Sequence, residues 1–349
     1  MNRITNKEIA EKLNISTATV SRALNGSGYV SHETKERIIE LLKDSDPSFS
    51  DTAYLGMNRS LTGSSVAVII PDISNTFFTD IIRGVESVAR QYNMIVSFFH
   101  ADESAAQEHR LMELVMQKKS QFKGLIIPPV AEADPSSVRY FDHLHNIDFP
   151  FVLVDRDIAK RSFDGVFVDN VKGSFTALKT LVKAGHRDIA MIAFPTNVRP
   201  GRERRQGFIQ AMKYYDLPVT EDFIQQGGLT VESGYECAKR LFSLKNRPTA
   251  IYSGNNVMTL GLLKYMCEND LHVGEDISVI AFDNIDILDY LQIPLSVITR
   301  SSFQMGVLAM QLLIDKISKT NLNSEPRRIN VMPELDLRGS EKMPDKFRQ

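Results

Sequence analysis

The chain carries two hydrophobic textures, and they change over near residue 65. Before that point the apolar positions fall at helical spacing. Ile9, Ala10 and Leu13 share one face, Val20 and Leu24 lie four apart on a second stretch, and Ile38, Leu41 and Leu42 mark a third. After it, short β-branched runs alternate with amphipathic stretches. The runs are VAVIIP (66–71), MIVSFF (94–99), GLIIPP (124–129), FVLVDR (151–156), GVFVDN (165–170), IAMIAFP (189–195), AIYSGN (250–255), ISVIAFDN (277–284) and SVITR (296–300). Helical patterns such as Phe78–Tyr92, Gly173–Ala184 and Arg204–Tyr215 lie between them. Nearly continuous apolar strands alternating with helices predict parallel sheets covered on both faces. Nine such strands are more than one doubly wound sheet uses at this length, so the pattern predicts an α/β chain of two similar lobes with a boundary near residues 157–164.

The first 46 residues read as a small all-α headpiece, and 47–64, rich in Ser, Asp and Gly, as a linker. Thr5-Asn6-Lys7-Glu8 is a capping box, with Thr5 facing the Glu8 amide and Glu8 reaching back. Asn14-Ile15 makes a turn, Ser16 caps a second helix (STATVSRALN), and Ser31 caps a third. Two short helices joined by a tight turn, with a third completing the core, form a helix-turn-helix. The open face of the second helix carries Thr17, Ala18, Thr19, Ser21, Arg22 and Asn25. Short side chains let a helix sit deep in a DNA major groove, hydroxyls reach phosphates, and one arginine can grip a guanine edge.

Charge alone points elsewhere. Across 349 residues, 41 Lys+Arg against 43 Asp+Glu leave a net charge of −2, which excludes a grossly basic coat protein. Residues 1–30 nevertheless hold Arg3, Lys7, Lys12 and Arg22 against Glu8 and Glu11, a net of +2 that the remainder offsets with −4. The length exceeds the usual limit of a single core, about 250–300 residues, which agrees with several domains. Two cysteines, Cys237 and Cys267, no apolar leader and no run of bilayer length fit a reducing cytosol. No HExxH, GxSxG or phosphate-loop motif supports an enzyme. The His143-Leu144-His145 pair lacks the partners of a metal site, and His186 starts a strand away from any cleft. No metal and no cofactor are expected.

Polar residues cluster where the strands end: Pro71-Asp72, Asp155-Arg156, Asp169-Asn170, Asn255-Asn256 and Asp283-Asn284. Singly, each is equally a helix cap or turn former. Together, at the carboxyl ends of parallel strands, they outline a binding cleft between lobes.

At this point a resemblance becomes specific. ITNKEIAEKLNISTATVSRALNG, with VSRALN in its second helix and YVSHETKERI leading into the third, resembles the DNA-binding headpiece of the LacI/GalR family of bacterial transcription regulators. VAVIIPDISNTFFTDIIRGVE (66–86), FVLVDRD (151–157), RERRQGF (202–208), IYSGNNVMTLGLL (251–263), DISVIAFDN (276–284) and PLSVITR (294–300) are similar to that family's regulatory core. The resemblance implies two Rossmann-like doubly wound lobes of the periplasmic-binding-protein type I kind, joined by three crossovers. The lobes then span 65–161 with 292–324, and 162–291 with 325–349. It implies a repressor of a carbohydrate-utilisation operon, acting as a homodimer on a pseudo-palindromic operator and controlled by a small-molecule effector. It places Thr17, Ala18 and Arg22 at base-reading positions and Thr5, Ser16, Thr19, Ser21, Asn25 and Tyr29 at or near backbone-contacting ones. The family's linker motif is only partly kept, as Arg59-Ser60-Leu61, which makes Leu61 the candidate minor-groove wedge. The effector site maps onto Asp72, Ser74, Phe77, Phe78, Asp155, Arg204, Asn255 and Asp283. Arg199, Arg202 and Arg205 beside Arg204, and Asn256 where Asp is frequent, lean toward an anionic effector such as a sugar phosphate. Two other readings explain less: a sugar-binding protein without DNA function leaves the headpiece unexplained, and the effector of such a regulator need not be a sugar.

Overall fold

The computed structural model describes residues 4–25, 30, 31, 34, 37, 38, 40–42, 64–318 and 325–347. In the headpiece α1 (Asn6–Leu13) begins at the expected capping box. The Glu8 amide donates to Thr5 Oγ1 at 3.3 Å, and the Thr5 amide donates to Glu8 Oε2 at 2.6 Å. Asn14 ends the helix in the left-handed region (φ 52°), and the Ile15 amide turns back to the Ala10 carbonyl at 3.0 Å. The chain then enters α2 (Thr17–Asn25), whose first turn is capped by Ser16 Oγ at 2.9 Å from the Thr19 amide. Ile9, Val20 and Ile38 are fully buried and join Ala10, Ala23, Val30 and Leu42 in one small core.

The remainder is two six-stranded sheets of the same winding. The first has the order β2-β1-β3-β4-β5-β11, built from β1 (Ser65–Ile70), β2 (Ile95–His100), β3 (Phe122–Ile127), β4 (Phe151–Val154), β5 (Gly165–Val168) and β11 (Arg328–Val331), all parallel. The second has the order β7-β6-β8-β9-β10-β12: β6 (Ile189–Ala193), β7 (Ile224–Gln226), β8 (Ala250–Ser253), β9 (Ser278–Phe282) and β10 (Ser296–Thr299) are parallel, and β12 (Glu334–Asp336) runs antiparallel to β10. All nine apolar runs are strands. The three extra strands, β7, β11 and β12, are short, polar edge strands and therefore carry no apolar signature. The helices used below are α3 (Thr76–Gln91), α4 (Ala105–Gln117), α5 (Pro135–Asn146), α6 (Asn170–Lys183), α7 (Arg199–Tyr214), α8 (Val231–Ser243), α9 (Asn256–Glu268), α10 (Ile287–Tyr290) and α11 (Ser302–Ser318). They cover both faces of the sheets.

The lobe boundaries differ from the expected ones. β5, expected in the second lobe, pairs with β4 and β11 in the first sheet, so the first crossover comes after residue 168 rather than at 161. β10, expected in the first lobe, lies in the second sheet, and β11, expected in the second lobe, lies in the first. The polar 157–164 segment is a loop inside one lobe, whereas the true crossing is the tight junction Asp169-Asn170 that starts α6. No linker composition marks it. The chain crosses again after β10 and between β11 and β12, so α11 docks on the first lobe against α3. Their backbones meet at two glycines: an added Cβ would lie 2.1 Å from the Phe303 carbonyl oxygen at Gly84 and 2.1 Å from that of Ile81 at Gly306. An apolar core continuous through both lobes lies on this side, and each lobe has its own core on the other face.

One core group is under electrostatic tension. Glu108 of α4 is completely buried; its Oε2 accepts from the Val130 amide at 2.8 Å, and its Oε1 has no partner. Burial pushes its carboxyl up to about 7 from 4.5, against the pull of the Val130 amide. A carboxyl raised in the native state loses stability as pH rises from the unfolded value through the folded one, here about 3 kcal/mol between pH 4.5 and 7. Glu108→Gln keeps an acceptor for Val130 and cannot ionise. Its urea midpoint should exceed the parent's at pH 8 and match it near pH 5; an equal shift at both pH values would contradict this account.

Candidate functional site

On α2, Thr17, Ala18 and Arg22 are exposed and lie on one helical face, as a reading surface requires. Thr19 and Ser21 are half-buried. The Thr19 hydroxyl lies 2.8 Å from Ser16 Oγ, and the Thr5 hydroxyl donates to Glu8 Oε2 at 2.8 Å, so both already serve the fold. Asn25 closes α2. Tyr29 and Leu61 lie outside the described residues.

The second site lies between the lobes, at the carboxyl ends of the strands. Asp72 follows β1, Asp155 follows β4, Asn255 follows β8 and Asp283 follows β9. Phe77 and Phe78 come from the first turn of α3, and Arg204 from α7. All seven line one cavity, together with Asn75, Glu103, Arg156, Phe194, Asn256 and Arg300. Ser74 does not: it is exposed and donates its amide and hydroxyl to Asp72 at 2.8 and 2.7 Å, orienting that carboxylate.

Arg300, directly after β10, is the centre of the cleft. Its Nη1 donates to Asp155 Oδ1 at 2.5 Å in the first lobe, and its Nε and Nη2 donate to the two oxygens of Asp283 in the second at 2.7 and 3.2 Å. Its guanidinium lies 3.7 Å from the centroid of Phe77. Burial works against this cation, but Asp283 and Asp155 hold it more firmly protonated than a free arginine. Arg204 is also buried, donating to Asn170 Oδ1 at 3.0 Å, the Gly254 carbonyl at 2.7 Å and Asp283 Oδ2 at 3.3 Å, with Phe282 3.6 Å beneath it. Burial lowers its hold on the proton, Asp283 offsets part of that, and Arg300 adds repulsion. Arg156 is bidentate to Glu103 at 2.8 and 2.6 Å. Asn256 Nδ2 donates to Asn75 Oδ1 at 3.0 Å across the lobes, while Asn255 caps α9. Asp155 and Asp283 both sit in the left-handed region, at φ 62° and 74°. That conformation turns their carboxylates toward Arg300 and is tolerated in aspartate better than in most residues.

Two of the extra cations expected from 199–205, Arg199 and Arg202, serve another purpose. α7 has no side-chain cap of its own, because Val198 precedes it. Glu132 of the first lobe fills that role: its Oε1 accepts from the Arg199 amide and, at 3.1 Å, from the Asp157 amide, and its Oε2 accepts from Arg202 at 3.0 Å. Arg199 itself donates to Glu203 at 2.6 Å and lies 4.4 Å from the Phe167 ring centroid. Burial raises the Glu132 carboxyl despite these donors. A carboxylate at a helix N-terminus is stabilised by the exposed amides and the helix dipole, here across the lobe boundary.

Comparison with known proteins agrees with both halves. Residues 5–46 match the bacterial regulatory proteins of the lacI family, and residues 178–341 match the periplasmic binding protein-like domain. The chain is 31% identical over 341 residues to the transcriptional repressor CytR of Escherichia coli, covering 96% of each protein. It is 30% identical over 336 residues to the repressor PurR of Histophilus somni, covering 96% of this chain and 98% of that one. It belongs to the lacI family. Among solved structures, a LacI-family regulator from Enterococcus faecium with bound ribose superposes with a TM-score of 0.69 at 25% identity, over 80% of this chain and 99% of that one. A CelR–cellobiose complex shares the fold at 22% identity, with a TM-score of 0.70 over 97% and 100% of the two chains.

This lacI-family protein is thus a DNA-binding transcriptional regulator with a helix-turn-helix head and two α/β lobes. Its relatives are repressors, not enzymes. Among the described residues no helix is long and apolar enough to cross a membrane. Sequence reasoning left Arg300, Arg156 and Glu132 out of its site residues. Arg156 and Arg300 end strand runs, FVLVDR and SVITR, and so obey the rule that selected Asp155 and Asp283. Glu132 carries no such mark, since only the folded chain brings it to α7.

Removing the shared cap has a defined consequence. Glu132→Ala should lower unfolding stability by about 2 kcal/mol, the range for hydrogen bonds to a charged group, whereas Glu132→Gln should recover part of the loss. Denaturant midpoints read at constant m-value check both.

Proposed function

We propose that the protein is a homodimeric cytoplasmic repressor of a carbohydrate-utilisation operon, released or engaged by a sugar that binds between the lobes. The observation that carries this reading is the cleft itself. Carboxylates, amides and guanidiniums from both lobes converge there on the faces of Phe77 and Phe78. A sugar requires planar polar groups around its hydroxyl rim and an aromatic surface for its C–H face. The ribose and cellobiose bound by the two structural neighbours have that chemistry.

The cleft disfavours the phosphate suggested by 199–205. Arg199 and Arg202 are engaged with Glu203 and Glu132, and the cleft arginines 156, 204 and 300 are each paired with carboxylates. A phosphate would have to break buried ion pairs and approach Asp72, Asp155 and Asp283; a neutral polyol donates to those same carboxylates. The mechanism is linkage. An effector that prefers one degree of lobe closure shifts the geometry of the two heads, and operator and effector alter each other's affinity equally. In each head Thr17, Ala18 and Arg22 read bases, with Ser16, Thr19, Ser21 and Asn25 near the backbone, and a two-fold dimer reads a pseudo-palindrome.

Gel retardation with the DNA upstream of the protein's own operon, at two salt concentrations and with a panel of sugars and sugar phosphates, tests this directly. Specific retardation should appear and be shifted by a neutral sugar. Arg22→Ala should weaken operator binding by about 1–3 kcal/mol and relax one base preference. Asp283→Asn, which keeps the side chain's size and one acceptor for the buried arginines, should lose most of the sugar response while operator binding is retained. No specific retardation at either salt would refute the reading.

A further inference from the structure

The two carboxylates Asp155 and Asp283 and the face of Phe77, three features suited to a sugar, are already occupied by one side chain. The Arg300 guanidinium presents a flat face to Phe77 at 3.7 Å and donates from its edge to Asp155 and Asp283. It is 3% exposed. The free volume left in the cleft is about 30 Å³, room for about one water, whereas small-molecule pockets usually exceed about 300 Å³.

Beside it lies an emptier chamber. Arg300 also lines a cavity of about 260 Å³ walled by Thr76, Asp80, Asn284, Asp286, Thr299 and the start of α11. This chamber is rich in acceptors, and the buried Asn284 Oδ1 in its wall has no hydrogen-bond donor. The guanidinium therefore stands between a cleft it fills and a chamber that offers acceptors to a displaced cation.

We propose that Arg300 is an internal stand-in for the effector: it holds the lobes together in the ligand-free protein and swings into the neighbouring chamber when an effector takes its place. The inference rests on the cleft being the effector site. It also narrows the ligand to a compact ring that offers donors to two carboxylates at once and an apolar face to Phe77. A molecule that satisfies only one lobe cannot replace a side chain that bridges both.

Hydrogen exchange on the full-length protein, without DNA or sugar, tests the stand-in separately from operator and effector binding. In Arg300→Ala, amides of segments 72–80 and 254–260, which face each other across the cleft, should exchange at least ten-fold faster than in the parent. The strands 66–70 and 278–282 should keep their protection, showing that each lobe remains folded. Millimolar guanidinium should restore the cleft protection saturably, and equimolar urea should not. Arg300→Lys, which keeps a buried cation but not the planar fork, should show an intermediate loss and keeps the test decisive if the alanine variant fails to fold. Parent-level protection in the variants, loss that guanidinium does not reverse, or equal restoration by urea would overturn the proposal. None of these outcomes bears on operator binding, so failure here is distinguishable from failure of the repressor reading.

Discussion

A buried guanidinium held between carboxylates of two different lobes governs the rest of this structure. Moving such charges out of water costs several kcal/mol per ion, and attraction repays it only where the geometry is good. Here Arg300 meets both oxygens of Asp283, one oxygen of Asp155 and the face of Phe77. The left-handed backbone at both aspartates, the position of the cleft at the strand ends and the pairing of Arg204 all serve that arrangement. Separation of the lobes leaves Asp155 without its arginine, while Asp283 keeps Arg300 and Arg204 because all three belong to the second lobe or its crossover.

Besides the Asn256–Asn75 hydrogen bond, charged side chains join the lobes at two places. The Arg300 bridge lies in the cleft, and the Glu132 cap joins the first lobe to the start of α7. Arg204 stands on that same helix, so the cap fixes the position of a guanidinium it never touches. The raised Glu132 carboxyl and the raised Glu108 carboxyl, whose Val130 contact lies two residues from Glu132, place ionisable groups along the same segment.

The sequence revealed the strands through uninterrupted apolar runs, because parallel strands buried on both faces need them. It revealed the strand-end aspartates because α/β folds place polar residues there, and the starts of α1 and α2 because Thr5 and Ser16 cap them locally; Ser31 Oγ likewise accepts from the Thr34 amide. Phe77 and Phe78 were legible as apolar, but only the fold shows that Arg300 covers one of them. The edge strands β11 and β12 were hidden: Arg328–Val331 and Glu334–Asp336 are polar and short, and their pairing is set by partners far away in the chain. The misplaced boundary has the same cause, since lobe membership is a property of pairing rather than of local composition. Glu132 belongs here too: a helix that lacks its own cap suggests a donor elsewhere, but not which residue supplies it.

The crossovers bear on how the molecule is made. The head needs only residues from the start of the chain for its core, so it can fold as soon as it leaves the ribosome. Neither lobe can do the same. β11, which completes the first sheet on β5, and β12, which completes the second on β10, lie within ten residues of each other near the end of the chain. The lobes are therefore finished together, only once both edge strands have been made. The head's core is thus complete while the lobes are still being assembled, so the two halves of the chain mature one after the other rather than together.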